Sequence, residues 1–241
     1  MRILIATLVL TLLVVPFASG EVYSNMVGLY KIDLVMGRNL VSMPFLPFNS
    51  PLDEVIGGQL TGHPVSQWAS DRINRWDPAL QTYEMAWYST SLTKWVAWNT
   101  ASGDPTFDFN PDESYWITII NVSKTLVLLG EVSESDRIMA LVVGRNFVAP
   151  SFPKEVSLDD AGLLPGFTGH PVSQWASDKI EFWNAAAQTY VGVWYRTGQG
   201  WRQWDTMDTP PVNPYDRIVP GRGMWIKVNN TSFTWTSPKP Y

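Results

Sequence analysis

Thr61-Gly62-His63-Pro64-Val65-Ser66-Gln67-Trp68-Ala69-Ser70-Asp71 recurs without a change as Thr168 to Asp178. Around this pair the rest of the chain falls into register. Gly37-Arg38-Asn39 matches Gly144-Arg145-Asn146, and Ile73 and Trp76 match Ile180 and Trp183. Gln81-Thr82-Tyr83 with Trp87-Tyr88 match Gln188-Thr189-Tyr190 with Trp194-Tyr195. Trp95 and Trp98 pair with Trp201 and Trp204. After a longer loop in the second copy, Pro111, Trp116, Ile117 and Asn121 answer to Pro220, Trp225, Ile226 and Asn230. Of the 13 Trp, only Trp235 has no counterpart. A period above 100 residues is too long for a solenoid unit, so the pattern reads as duplication of a whole small domain. The expected division is a leader at 1–20, one β-rich domain at 21–131 and a second at 132–241. So short a connection implies that the two copies pack together.

Within each copy the local signals are those of strands. Lys31 to Met36 and Leu40 to Phe45 are apolar-rich and interrupted at Gly37-Arg38-Asn39, a turn or bulge. Asp71 to Trp76 and Thr82 to Tyr88 flank Asp77-Pro78-Ala79-Leu80, where Asp opens a type I turn and Pro presets φ, giving a hairpin. Further strands are expected near Trp95 to Trp98, Tyr115 to Ile120 and Thr125 to Leu129, with a last turn at 121–124. Ser50-Pro51-Leu52-Asp53 and Ser157-Leu158-Asp159-Asp160 each set Ser three residues before an acid, which predicts one short capped helix per copy. The fold class is therefore all-β: two homologous small β-sandwich or barrel-like domains, each with one short helix.

Composition narrows the chemistry. With 45% hydrophobic and 16% charged residues the chain is globular. It has no Cys and 2 His, which excludes disulfides, thiolate metal sites, a Cys nucleophile and lipid attachment through Cys. No metal site or cofactor is expected. Asp-rich loops such as Asp104 to Asp112 could be weighed for calcium, but there is no EF-hand spacing and the second copy lacks the pattern. The net charge is −5 with no run of Lys or Arg, so the electrostatic term for nucleic acid is missing. Arg2, the apolar run Ile3 to Val15 and Ala18-Ser19-Gly20 read as a secretory signal peptide. Nothing later is apolar enough for a membrane span, which points to an exported or cell-surface protein. Three Asn-x-Ser/Thr triplets begin at Asn121, Asn229 and Asn230, all at expected turns.

The residues Gly37, Asn39 to Ser42, Pro44, Trp76, Tyr115 to Ile117 and Gly130 carry a further signal. Gly144, Asn146, Val148 and Trp183 repeat it more loosely. Their order resembles the Gly-Trp-Asn-Leu-Ile-Ser-x-Pro type of β-rich repeat domain found in many large exported prokaryotic proteins. Arg38 and Arg145 stand where that pattern has Trp, and Ala149-Pro150 replaces its Ser-x-Pro. The resemblance implies a non-catalytic accessory or surface module, and it transfers no binding residues.

Three readings of the repeated segment compete. In the first, Gly62 and Pro64 shape a turn, Trp68 fills a core edge, and Ser66, Ser70 and Asp71 cap backbone groups. In the second it is a ligand or self-assembly site presented twice, made of His63, Ser66, Gln67, Trp68 and Asp71 and of His170, Ser173, Gln174, Trp175 and Asp178. A third, catalytic reading takes His63 or His170 as base and Ser66 or Ser173 as nucleophile, with Asp71 or Asp178 as orienter. It fails on spacing, because His and Ser lie three apart in a loop with no oxyanion-hole glycines. Carboxylate pairs drawn from Asp53, Glu54, Asp71, Asp112 and Glu113 would suit glycoside hydrolysis. Asp112 and Glu113, however, read as a solvated turn, and Gly221 and Arg222 replace them in the second copy.

Trp76, Trp87, Trp116 and their partners alternate within strands and belong to the core. Trp68, Trp95 and Trp98 with Trp175, Trp201 and Trp204 lie nearer loops. There they either form a platform that stacks on sugar rings or bury the contact between copies. The expectation is an exported, non-catalytic structural or adhesive protein that partners itself as an oligomer or filament. The alternative is a polysaccharide-binding protein using loop Trp residues, and a secreted hydrolase ranks last.

Overall fold

The computed structural model describes residues 25–206 and 209–241; the expected leader at 1–20 lies outside them. In the first half the chain runs through β1 (Val27–Leu34), β2 (Gly37–Ser42), α1 (Leu52–Val55), β3 (Arg72–Asp77), β4 (Thr82–Ser89), β5 (Lys94–Ala97), β6 (Ser114–Ile119) and β7 (Lys124–Glu131). Five of these strands form an antiparallel sheet in the order β2-β6-β3-β4-β5, while β1 and β7 pair as a separate ribbon. Strand alternation sends Ile73, Ala86, Ile117 and Ile119 to one face of the sheet. They pack there against Leu34, Leu126 and Leu128 of the ribbon, with Leu52 and Ile56 closing the gap.

The second half repeats this plan. Its elements are β8 (Arg137–Leu141), β9 (Gly144–Val148), β10 (Val156–Ser157), β11 (Lys179–Asn184), β12 (Thr189–Arg196), β13 (Gly200–Gln203), β14 (Arg217–Ile218), β15 (Met224–Val228) and β16 (Phe233–Ser237). The sheet order is β9-β15-β11-β12-β13, β8 pairs with β16, and the short pair β10–β14 is an addition. The fold is all-β, with open two-layer sheets that do not close into a barrel.

The helix expectation holds in one half. α1 forms, but its N-cap position is Pro51 and no side chain caps it, so Ser50 does not act as the cap. In the second half Ser157 ends strand β10. Its hydroxyl and Asp160 do bond reciprocally, yet they close a turn and no helix follows. The anticipated capping chemistry is present; its chain context is a strand exit.

Gly-Arg-Asn is repeated because Asn performs one task twice. The Asn39 side chain accepts from Val35 N–H at 2.9 Å and donates to the Val35 carbonyl at 2.8 Å, joining β1 to β2 across Gly37 at φ 99°. Asn146 makes the same two bonds with Val142 across Gly144, and donates to Ile226 O at 3.2 Å. The hairpin turn also forms as read, with Asp77 Oδ1 accepting from Ala79 and Leu80 N–H.

The two halves meet through the faces of their sheets that point away from the cores. Leu40, Trp116, Phe147 and Trp225 are buried together, flanked by Trp76 and Trp183. Trp76, Trp116 and their partners therefore serve the contact between halves, and are not internal to either core. The bonding is reciprocal. Trp76 Nε1 donates to Arg145 O and Trp183 Nε1 to Arg38 O, both at 2.8 Å. Gln81 and Gln188, at the ends of the two hairpin turns, each accept from the other half's Arg N–H and donate to its carbonyl. Edge-to-face ring pairs Trp76–Trp225 and Trp116–Trp183 lie 5.1 and 5.0 Å apart, each worth about 0.5–1.5 kcal/mol beyond its buried area.

Asp112 and Glu113 are not a solvated turn. Asp112 pairs with Arg137, accepts from Ser151 N–H at 2.9 Å, and its own N–H donates to Ser151 Oγ. Glu113 pairs with Arg75 at 2.8 Å, raising that guanidinium's pKa above its ordinary value. Asp112 thus ties the halves together on one side only, which explains why the second copy carries no equivalent. Truncating Trp225 to Ala should lower stability by about 3–5 kcal/mol, read as a drop in urea midpoint; a change below about 1 kcal/mol would show that the contact between halves contributes little.

Candidate functional site

Turn chemistry accounts for most of the repeated segment. Asp71 Oδ2 accepts from Thr61 N–H at 2.7 Å and its Oδ1 from Ile120 N–H at 2.8 Å, closing the loop onto β6. Asp178 repeats this with Thr168 at 2.7 Å and Asn229 at 2.8 Å. Ser70 Oγ lies 3.1 Å from Thr61 O and 2.8 Å from Asp71 O, and Ser177 Oγ is placed in the same way. His63 Nδ1 accepts from Ser66 N–H at 2.9 Å and His170 Nδ1 from Ser173 N–H at 2.8 Å, so the imidazole proton belongs on Nε2. Gln67 bonds Asn99 at both side-chain ends, and Gln174 bonds Asp205 likewise.

Burial, opposed by the hydrogen bonds from Asn229 and Thr168, raises the Asp178 carboxyl above its usual pKa. This group's contribution to stability is therefore present at acid pH, below the unfolded value, and is lost as the pH rises through the raised one.

These bonds do not assemble a triad. His63 and His170 engage backbone N–H groups rather than a serine hydroxyl, and Asp71 and Asp178 are occupied by backbone donors on other segments. Of the proposed carboxylates, Asp53 Oδ1 accepts from Trp95 N–H, while Glu113 and Asp112 hold arginines.

What the segment holds out is tryptophan. Its bonds fix a short 3-10 turn in each half, Gln67–Ala69 and Gln174–Ala176, which lifts Trp68 and Trp175 to 70% and 74% exposure. Neither fills a core edge. Each stands edge-to-face on a half-buried neighbour, Trp98 at 4.9 Å and Trp204 at 5.0 Å. Leaving two large apolar rings in water costs burial that the other tryptophans obtain in whole or in part. Trp95 and Trp201, expected nearer the surface, lie inside at 0% and 6% exposure. Strand alternation explains the split, because Trp95 and Trp201 point through the sheet to the core side.

The structure adds residues that the sequence reading passed over. Arg72 lies over both rings of the first pair, 5.5 Å from Trp98 and 5.9 Å from Trp68, and Lys179 Nζ is 3.9 Å from the Trp204 centroid. Both cations follow the repeated segment directly, Asp71-Arg72 and Asp178-Lys179, so conserved charge just past the identity was the available signal. In the first half a cleft of about 420 Å³ opens beside Trp68, lined by Ser66, Gln67, Trp87, Asn99 and Thr100 among others. In the second, a cleft of about 130 Å³ lies between Trp175, Trp204, Arg145, Lys179, Lys227 and Glu181. Comparison with family models, curated proteins and solved structures finds no match.

Replacing Asp71 by Ala leaves two backbone N–H groups without acceptors and should cost about 1–3 kcal/mol, whereas Trp68→Ala should stay within about 0.5 kcal/mol of the parent. Thermal unfolding of both variants checks this; equal losses would return Trp68 to a structural role.

Proposed function

We propose that this chain is a non-catalytic extracellular or cell-surface adhesive protein that grips a polysaccharide through two tryptophan clefts, one in each half. The observation carrying the proposal is the pair of exposed indoles, Trp68 and Trp175, each held up by an identical hydrogen-bonded loop and braced edge-on by a second indole. A flat apolar ring face with polar groups at its margin suits a sugar ring, whose own apolar face stacks while its hydroxyls find donors and acceptors. Gln67, Asn99 and Thr100 provide such groups around the first cleft. Two sites on one chain also suit a repeating ligand, since the second contact forms at raised effective concentration. The resemblance to exported β-rich repeat modules and the leader-like start support an external location.

A second reading, self-association, is favoured by one surface. Along β1 and β7, Val27, Leu29 and Leu129 are exposed, with Met26 and Phe48 beside them, and among the described residues β1 pairs with β7 alone. An open apolar strand edge is a template for another chain.

Titrating chain 21–241 with a panel of soluble polysaccharides should give a saturable shift in Trp emission with at least one of them. Trp68→Ala and Trp175→Ala should each weaken binding to polymer more than tenfold through lost avidity. No shift with any glycan, together with size-exclusion elution far above the monomer that Leu29→Lys reverses, would replace this reading with self-association.

A further inference from the structure

The outward face of each five-stranded sheet is rich in donors beside the exposed indoles. Arg38, Thr118, Arg72 and Trp87 are directly paired across four neighbouring strands, so their side chains leave the same face. Arg145, Lys227, Lys179, Trp194 and Arg202 form the corresponding row in the second half. Arg38, Arg72 and Lys227 have no carboxylate partner among the described residues. Glu181 is the acid facing the second row, 2.7 Å from Lys179 and 4.0 Å from Arg145; Asn74 replaces it in the first half. Cations thus gather beside both indole pairs on a chain whose overall charge is −5.

A second observation is independent of charge. Trp87 and Trp194 are 3% and 1% exposed, and neither indole N–H has an acceptor among the described residues. Trp87 lines the cleft beside Trp68. Arg202 Nε in the second row is likewise buried without a partner. Buried donors of this kind are rare, and here both halves leave the same indole unpaired beside guanidinium or ammonium groups. Asn74 Oδ1 on the first face is itself an acceptor without a partner among the described residues, and Glu181 answers two cations of the second row, yet on both faces donors and positive charge stay in excess.

Resting on the polysaccharide reading above, we infer that the ligand is an acidic glycan, bearing uronate or sulfate groups, with one acidic residue engaged per half. The sugar face stacks on Trp68 or Trp175. Its anionic group meets Arg72 in the first half, and Lys179 and Lys227 in the second, as charge-assisted hydrogen bonds. Repetition of the acidic unit along one chain serves both halves.

The test uses chain 21–241 with hexagalacturonate, cellohexaose and polyglutamate of similar length, by calorimetry at low and at 0.5 M salt. Hexagalacturonate should bind at least tenfold tighter than cellohexaose, and salt should erase most of that difference by screening. Lys227→Gln, which touches neither exposed indole, should lower hexagalacturonate affinity at least tenfold while leaving the thermal midpoint and cellohexaose affinity unchanged, and Arg72→Gln should lower hexagalacturonate affinity by a larger factor than cellohexaose affinity. Equal affinity for the two sugars, or indifference to those substitutions, overturns the acidic-glycan assignment and leaves polysaccharide binding standing. Polyglutamate binding as tightly as hexagalacturonate overturns it in favour of an acidic peptide. Failure of every glycan in the wider panel removes both.

Discussion

The arrangement depends on the aromatic contact between the halves, where Trp116, Phe147 and Trp225 are buried between Trp76 and Trp183. Each flanking indole donates to a backbone carbonyl of the opposite half, and each hairpin turn sends a glutamine to the same place. Hydrophobic area alone would tolerate sliding. The paired hydrogen bonds, made to the carbonyls of Arg38 and Arg145, specify one register. Those same arginines extend over Trp116 and Trp225, at 5.8 and 5.4 Å, so the contact and the cationic rows share residues. Geometry between the two clefts is thereby set by the interface rather than by a linker.

Symmetry is broken where the halves differ in role. Asp112 binds Arg137 and Ser151 and so ties the end of the first half to the beginning of the second, a task with no duplicate. Glu181 takes the place of Asn74 and neutralises part of a row that gained Lys227 in place of Thr118. Arg202 likewise stands where the first half has Val96, so two additional bases against one additional acid leave the second row one charge more positive than the first. The exposed apolar surface on β1 and β7 is a further difference, since it belongs to the first half.

Much of the fold was legible because its signals are local. Duplication followed from eleven identical residues, the hairpin from Asp77-Pro78, and the all-β class from short alternating runs. The second helix was misread because Ser157 and Asp160 make the bond of a capping box, while the neighbouring Val156 pairs with Ile218, a contact 62 residues away that no local pattern encodes. Sorting the tryptophans failed for a similar reason. Trp95 and Trp98 lie three apart at the end of one strand, and which of them enters the core depends on sheet register. Asp112 looked exposed because its partners, Arg137 and Ser151, come from the other half.

The central claim is that the exposed indole pairs and the unpaired Trp87 and Trp194 N–H groups beside them, and not the indoles of the cores or of the contact between halves, meet the ligand. Its most direct test is the set of indole N–H resonances in a ¹⁵N-labelled chain titrated with hexagalacturonate, each of the 13 Trp assigned by substitution. The account predicts that Trp68, Trp98, Trp87 and their counterparts Trp175, Trp204 and Trp194 shift together, while Trp76, Trp116, Trp183, Trp225 and Trp235 stay in place. Shifts confined to the second group, or spread evenly over all of them, would contradict it.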